Sequence, residues 1–284
     1  MSLRRYTLEN YRCFRDRQTV EIFPVTVVLG KNNSGKSALV RAPLVLATGF
    51  TVNTPAPLDL ERLGAEAPDG FTDLIFEQVA HRPVRFAVEV AGDQPFQLEA
   101  TLQYVDERQQ AFVSDLALRC AGVSTALRWS PDAGESTDLY TTPASSATRQ
   151  VSFHGLVPVD VPEIPAGLSL GPIRYLSSFR QPVERHHRLP LGEKRDLGSR
   201  AEHVLGILAH HAARSGGQLI DVVNDYLERI VPGWELAEVP DGPLYATILT
   251  RSNSRVRVNL ADAGSGLAQV LPILVQCGLD RIYG

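Results

Sequence analysis

Gly30-Lys31-Asn32-Asn33-Ser34-Gly35-Lys36-Ser37 fits the pattern G-x-x-x-x-G-K-[ST] at every fixed position. Its flanks fit as well. Upstream, residues 25–29 (VTVVL) form a short β-branched run that predicts a buried strand. Downstream, Ala38, Leu39, Val40 and Leu44 begin a helical apolar pattern. Strand, glycine loop and helix together turn backbone N–H groups and a helix N-terminus toward a polyphosphate. Gly30 and Gly35 allow the tight turn and close backbone approach, and Asn32, Asn33, Ser34 and Ala38 complete the cradle. Lys36 is expected to reach the β- and γ-phosphates as a point charge, and the Ser37 hydroxyl to ligate Mg²⁺. The loop therefore predicts a site for a nucleoside triphosphate and Mg²⁺.

Working outward, 284 residues suffice for one large domain or two small ones with ample core. A 44% hydrophobic and 21% charged composition is that of an ordinary globular chain. A net charge of −4 argues against a wholly basic, nucleic-acid-coating surface, while a local basic patch stays open. Cys13, Cys120 and Cys277 stand far apart without C-x-x-C spacing, which suits a reducing compartment and offers no metal framework. No apolar run approaches a membrane span, and MSLRRYTLENYRCF lacks the apolar block of a secretory signal, so a cytoplasmic location is expected.

Two strands are predicted at 3–8 and 18–23, with Pro24 separating the second from the loop strand. The helix after Ser37 meets Pro43 and fades by Gly49, and residues 50–70 read as a loop. Runs at 84–91, 96–104 and 111–120 predict an antiparallel meander. Residues 123–170, rich in Ser, Thr, Pro, Asp and Gly, predict an irregular insert. A short strand is expected at 173–179, then helices at 200–213 and 217–230, a hairpin formed by 244–250 and 255–260, and a final helix from Ser265 kinked at Pro272.

The second informative stretch is Asn259-Leu-Ala-Asp262-Ala-Gly264-Ser265-Gly266-Leu-Ala-Gln269-Val-Leu-Pro272, a small-residue turn opening a helix. Combined with LENYRCF and VTVVLGKNNSGKSALVRA, it resembles the ABC-type ATPase heads of the SMC, RecF and OLD-like superfamily. Within that group the segment from Asp262 to Pro272 is similar to the signature of bacterial AAA-type ATPases found in phage defence, and DGFTDLIFE, IRYLSSFRQPVERHHR and GSRAEHVLGIL agree. The resemblance covers most of the chain except about 123–170. It implies an α/β fold comprising a phosphate-loop core sheet, an antiparallel β lobe and a helical lobe. Its subdivision would be a loop core at 1–50, a β lobe at 71–122, the insert at 123–172, a helical lobe with hairpin at 173–258 and the signature segment at 259–284. It further implies that two copies sandwich two ATP molecules, with Gly264, Ser265 and Gly266 of one copy meeting the triphosphate held by Lys36 of the other. Here Ala263-Gly264-Ser265-Gly266 replaces the better-known L-S-G-G-Q form, which leaves open which residue takes the serine role. Arg12 is either a nucleotide contact, as the resemblance implies, or a solvated loop arginine.

In such heads the acidic Mg²⁺ partner lies on an apolar strand after the signature helix, but only 18 residues follow Gly266, and the helix uses them. The expectation is an N-terminal portion without its catalytic half. Leu74-Ile75-Phe76-Glu77-Gln78 offers three alternatives: an early strand ending in a catalytic carboxylate, a Gln78 that reaches Mg²⁺ or water, or a structural segment. His186-His187 and His210-His211 lack metal-ligand spacing. Arg174, Arg180, Arg185, Arg188, Lys194 and Arg195 form the densest basic stretch, readable as a DNA or protein contact or, slightly favoured without interleaved aromatics, as a solvated loop. Three functions compete: an ATPase controlling a DNA-directed or nuclease-like effector, a non-catalytic nucleotide sensor that docks a partner, and a kinase or GTPase. The last lacks any N-K-x-D guanine motif.

Overall fold

A computed structural model describes residues 2–50, 56–130, 137–143, 145–165 and 167–283. The chain divides into two compact units, residues 1–173 and 174–284.

The first unit is built on one antiparallel sheet. Its strands are β1 (Ser2–Glu9), β2 (Gln18–Glu21), β3 (Val84–Ala91), β4 (Phe96–Val105), β5 (Gln110–Cys120), β6 (Val123–Trp129), β7 (Leu139–Thr142) and β8 (Ser145–Gln150), in the order β2-β1-β3-β4-β5-β6-β7-β8. Alternation explains the central strands: Val84, Phe86, Val88 and Val90 of β3 and Phe96, Leu98, Ala100, Leu102 and Tyr104 of β4 face one core. In β5 a bulge at Ser114, opposite Thr101/Leu102, shifts the register and returns Val113 to the core face, while Phe112 is buried against Trp129, ring centroids 5.2 Å apart. Helix α1 (Lys36–Thr48) lays Ala42, Val45 and Leu46 on the same core beside Tyr6, Leu8 and Tyr11. Pro43 lies inside α1 and has no N–H for the Leu39 carbonyl; the Tyr6 hydroxyl donates to that oxygen instead, at 2.8 Å. Burial pushes the Tyr6 phenol up to about 12. A two-strand ribbon, β9 (Phe153–His154) and β10 (Val157–Pro158), completes the unit, and the Leu156 amide donates to the Gly49 carbonyl at the end of α1.

The second unit contains β11 (His187–Arg188), α2 (Val204–Arg214), α3 (Gln218–Ile230), β12 (Trp234–Asp241), β13 (Leu244–Arg251), β14 (Arg257–Asn259) and α4 (Ser265–Tyr283). β13 is central, pairing with β12 along its length and with β11 and β14 over separate segments. The helices pack through Val204, Ile207, Leu208, Leu219, Val223, Leu227, Leu271, Val275 and Leu279. Gly278 of α4 packs directly on α3, because a Cβ there would sit 2.7 Å from Leu219 Cδ1.

The α/β class, the meander and all four helices are as expected, but three local readings change. Residues 25–29 form no strand: Val25, Val27 and Leu29 are 80%, 70% and 87% exposed. The described strands form purely antiparallel sheets, and Pro24, lacking an N–H, ends the pairing after β2; the apolar run has no ladder to join. The expected phosphate-loop core sheet is accordingly not formed among the described residues. Residues 123–150 are not wholly irregular, since β6, β7 and β8 extend the main sheet; their Ser- and Thr-rich faces hid this, because ladder hydrogen bonds need no apolar side chains. No strand forms at 173–179, where Phe179 is exposed and the Ser177 amide donates to Ser199 O.

Candidate functional site

The loop Gly30–Ser37 ends at α1 with a bare helix N-terminus. Gly35, at φ 87°, ψ 6°, precedes the first turn; no side chain caps that turn and no acidic residue lies in it. The first helical bond runs from the Leu39 amide to Gly35 O, leaving the amides of Lys36, Ser37 and Ala38 without intrahelical acceptors. Partial positive charge therefore collects at this end, with no acidic residue in the first turn to offset it. Asn33 takes the left-handed conformation (φ 62°), and Ser34 N donates to Lys31 O. The Lys36 ammonium folds back onto the loop, 2.8 Å from Gly30 O and 2.5 Å from Lys31 O. Two carbonyls thus fix the ammonium beside the free amides.

A turn that the sequence alone does not connect to the loop packs against it. Tyr11 and Phe14 exchange backbone hydrogen bonds of 2.8 Å, and a Cβ on Gly35 would lie 2.5 Å from both Cys13 Sγ and Phe14 Cζ. Arg12 sits in this turn at φ 51°, with its amide donating to Leu74 O and its guanidinium 5.9 Å from the Tyr11 ring centroid. Arg12 Nε is buried without an acceptor. Burial raises the Tyr11 phenol above its ordinary range, with Arg12 and then Arg41 pulling the other way.

The same turn holds residues 74–78. Tyr11 bridges Ile75, and Phe76 N donates to Asn10 O. These residues form tight helical turns instead of a strand, with Glu77 at φ 58° and Gln78 at φ 56°. Glu77 is paired with Arg82 at 3.0 Å, and Gln78 Nε2 donates to Asp73 Oδ1 at 2.8 Å. The apolar-strand-plus-carboxylate reading of Leu74 to Glu77 is therefore corrected: Ile75 is committed to the turn around Tyr11, and the backbone reverses at Glu77. Phosphate loop, Arg12 and the Gln78 segment converge on one turn, 10–14.

In the second unit, Gly264, Ser265 and Gly266 are exposed at the start of α4, whose first turn also lacks acidic residues. The segment before it is anchored: Asn259 Oδ1 accepts from Ala261 N at 2.9 Å, and Asp262 takes a forked pair of hydrogen bonds from Arg185 at 2.8 and 2.5 Å. His186 pairs with Asp241 at 2.9 Å, and His187 with the buried carboxylate of Glu238 at 3.0 Å. His210 and His211 are buried packing residues. Among the described residues no group of His, Cys, Asp and Glu is placed to hold a metal ion, and no helix is long and apolar enough to cross a membrane.

Residues 1–57 match the family described as AAA ATPase domain. The match spans β1, β2, the phosphate loop and α1, and supports a nucleotide-binding ATPase of AAA type. No curated protein matches the chain.

Proposed function

We propose that this chain binds ATP with Mg²⁺ at residues 30–38 and acts as an ABC-type ATPase head of the SMC, RecF and OLD-like kind, pairing with a second copy around the nucleotide. The observation that carries the reading is the uncapped, acid-free N-terminus of α1 with the Lys36 ammonium tethered beside it. The residues fit a triphosphate in charge: the free first-turn amides of α1 and the Lys36 ammonium supply donors, and no acidic residue lies in that turn. The Ser37 hydroxyl, with Gln78 released from Asp73, would hold Mg²⁺, which when bound neutralises phosphate charge. Arg12, adjoining Gly35 through its turn, would add a second cation.

In this reading Lys36 exchanges its two carbonyl acceptors for phosphate oxygens on binding. Ser265 and its neighbouring amides supply the closing surface for the other copy's nucleotide, and Arg185, through Asp262, holds that segment in place. Such pairing would let ATP govern an effector, of nuclease-like or DNA-directed kind, in a cytoplasmic setting. The competing sensor reading shares the binding step and lacks turnover.

The test is sedimentation of the full chain with and without a non-hydrolysable ATP analogue and Mg²⁺. The reading expects an analogue-dependent doubling of mass that Lys36→Ala and Ser265→Arg each abolish. An unchanged mass at saturating analogue would overturn pairing. Phosphate release from ATP, measured alongside, separates the ATPase from the sensor.

A further inference from the structure

The basic stretch between Arg174 and Arg195 sorts itself in the folded chain. Arg174 is paired with Asp280, Arg185 with Asp262, and Arg195 with Glu193, with its guanidinium also 3.9 Å from the Tyr283 ring centroid. Three cations, Arg180, Arg188 and Lys194, have no carboxylate within ion-pair distance among the described residues. Those same three line one cavity of about 260 Å³ in the second unit. Arg180 Nε and Nη1 are buried with no acceptor. Two guanidinium nitrogens held from water without an acceptor cost free energy that native proteins normally recover with a counter-group. Burial accordingly draws the Arg180 guanidinium down from its ordinary range.

We propose that this cavity binds a phosphate group, as free phosphate or a small phosphomonoester, between Arg180, Arg188 and Lys194. Donor number selects the ligand. Two guanidiniums and an ammonium on one cavity exceed what one carboxylate can accept, whereas phosphate presents three or four oxygens. His203, Leu205 and Gly206 also line the cavity, at the start of α2, where first-turn amides lack helical acceptors. Glu184 and Glu202 are at the wall too, but Glu202 is turned to the Arg200 amide, 2.9 Å away. At about 260 Å³ the space is below the usual range for enclosing a whole drug-sized ligand, so it suits a phosphate and a small appendage better than an entire ATP. No Phe, Tyr or Trp lines it, which distinguishes it from the aromatic-lined grooves that follow a nucleic-acid strand.

The experiment titrates inorganic phosphate into the full chain carrying Lys36→Ala, which disables the phosphate loop, by calorimetry at low ionic strength. Saturable binding is expected, weakened at least 10-fold by Arg188→Gln with Lys194→Ala, both exposed positions, and by Arg180→Gln. Circular dichroism checks each variant's fold; should Arg180→Gln fail to fold, the exposed pair alone decides. Absence of binding by the folded Lys36→Ala chain, or binding indifferent to the exposed pair, overturns the proposal. A second arm uses a single-stranded oligothymidylate. Oligonucleotide binding that needs these residues while inorganic phosphate does not bind would reassign the cavity to a nucleic-acid backbone and overturn the small-phosphate assignment.

Discussion

Replacing Gly35 by Ala should destabilise the first unit by about 2–5 kcal/mol. The residue stands at φ 87°, where an L side chain costs roughly 1–2 kcal/mol. The new Cβ would also meet Cys13 Sγ and Phe14 Cζ at 2.5 Å, and relieving such overpacking costs about 1–3 kcal/mol. Trp129 lies in the first unit and Trp234 in the second, so urea unfolding followed by fluorescence in a Trp234→Phe background reports on the first alone. Cys13→Ala removes one of the two clashing atoms. Combined with Gly35→Ala it should recover about 1 kcal/mol, a coupling within the range for residues in contact. A Gly35→Ala change of less than about 0.5 kcal/mol, or strict additivity with Cys13→Ala, would refute the packing of turn 10–14 against the phosphate loop.

His211 is buried with both ring nitrogens unpartnered, and burial holds its imidazole below the usual range while Glu193 pulls it up. The unfolded chain therefore takes up that proton first, and stability should fall as pH drops through about 6.5 toward the lower folded value. His211→Leu should flatten this dependence and raise stability by about 1–2 kcal/mol at pH 6, since an unsatisfied polar group is removed; urea midpoints at pH 6 and 8 check it. Arg185→Ala breaks an exposed ion pair and should cost under about 1 kcal/mol in urea, yet weaken analogue-driven pairing several-fold because Asp262 loses its tether. Val25→Lys with Val27→Lys should leave the urea midpoint within about 0.5 kcal/mol and reduce concentration-dependent light scattering, because both side chains are exposed. A loss above 2 kcal/mol would mean that the segment is buried in a sheet.

The helices were legible because each carries its apolar residues at helical spacing, and α3 stops at the breaker Pro232-Gly233. The meander was legible because β3 and β4 alternate cleanly. The strand before the phosphate loop was misread since Val25, Val27 and Leu29 carry strand propensity, and propensity cannot supply neighbouring strands. β12 escaped because Glu238 and Pro240 interrupt the face that carries Trp234 and Leu236; Glu238 is tolerated there by His187 and by Thr247 Oγ1 at 2.5 Å, partners distant in sequence. At the candidate site, Lys36 and the glycines follow from their spacing. That Cys13 and Phe14 pack on Gly35, and that Leu74 and Ile75 hold the Arg12 turn, are tertiary facts with no local signal. In the basic stretch, composition gave the charge, and only the fold revealed which cations are already spoken for.

The most direct measurement is calorimetric titration of Mg²⁺-ATP into the full chain beside Lys36→Ala. The account predicts saturable binding by the unaltered chain, weakened at least 10-fold by the substitution, which removes about 1.4 kcal/mol or more. Equal binding by both folded proteins, or none by either, would contradict a nucleotide site built on the N-terminus of α1.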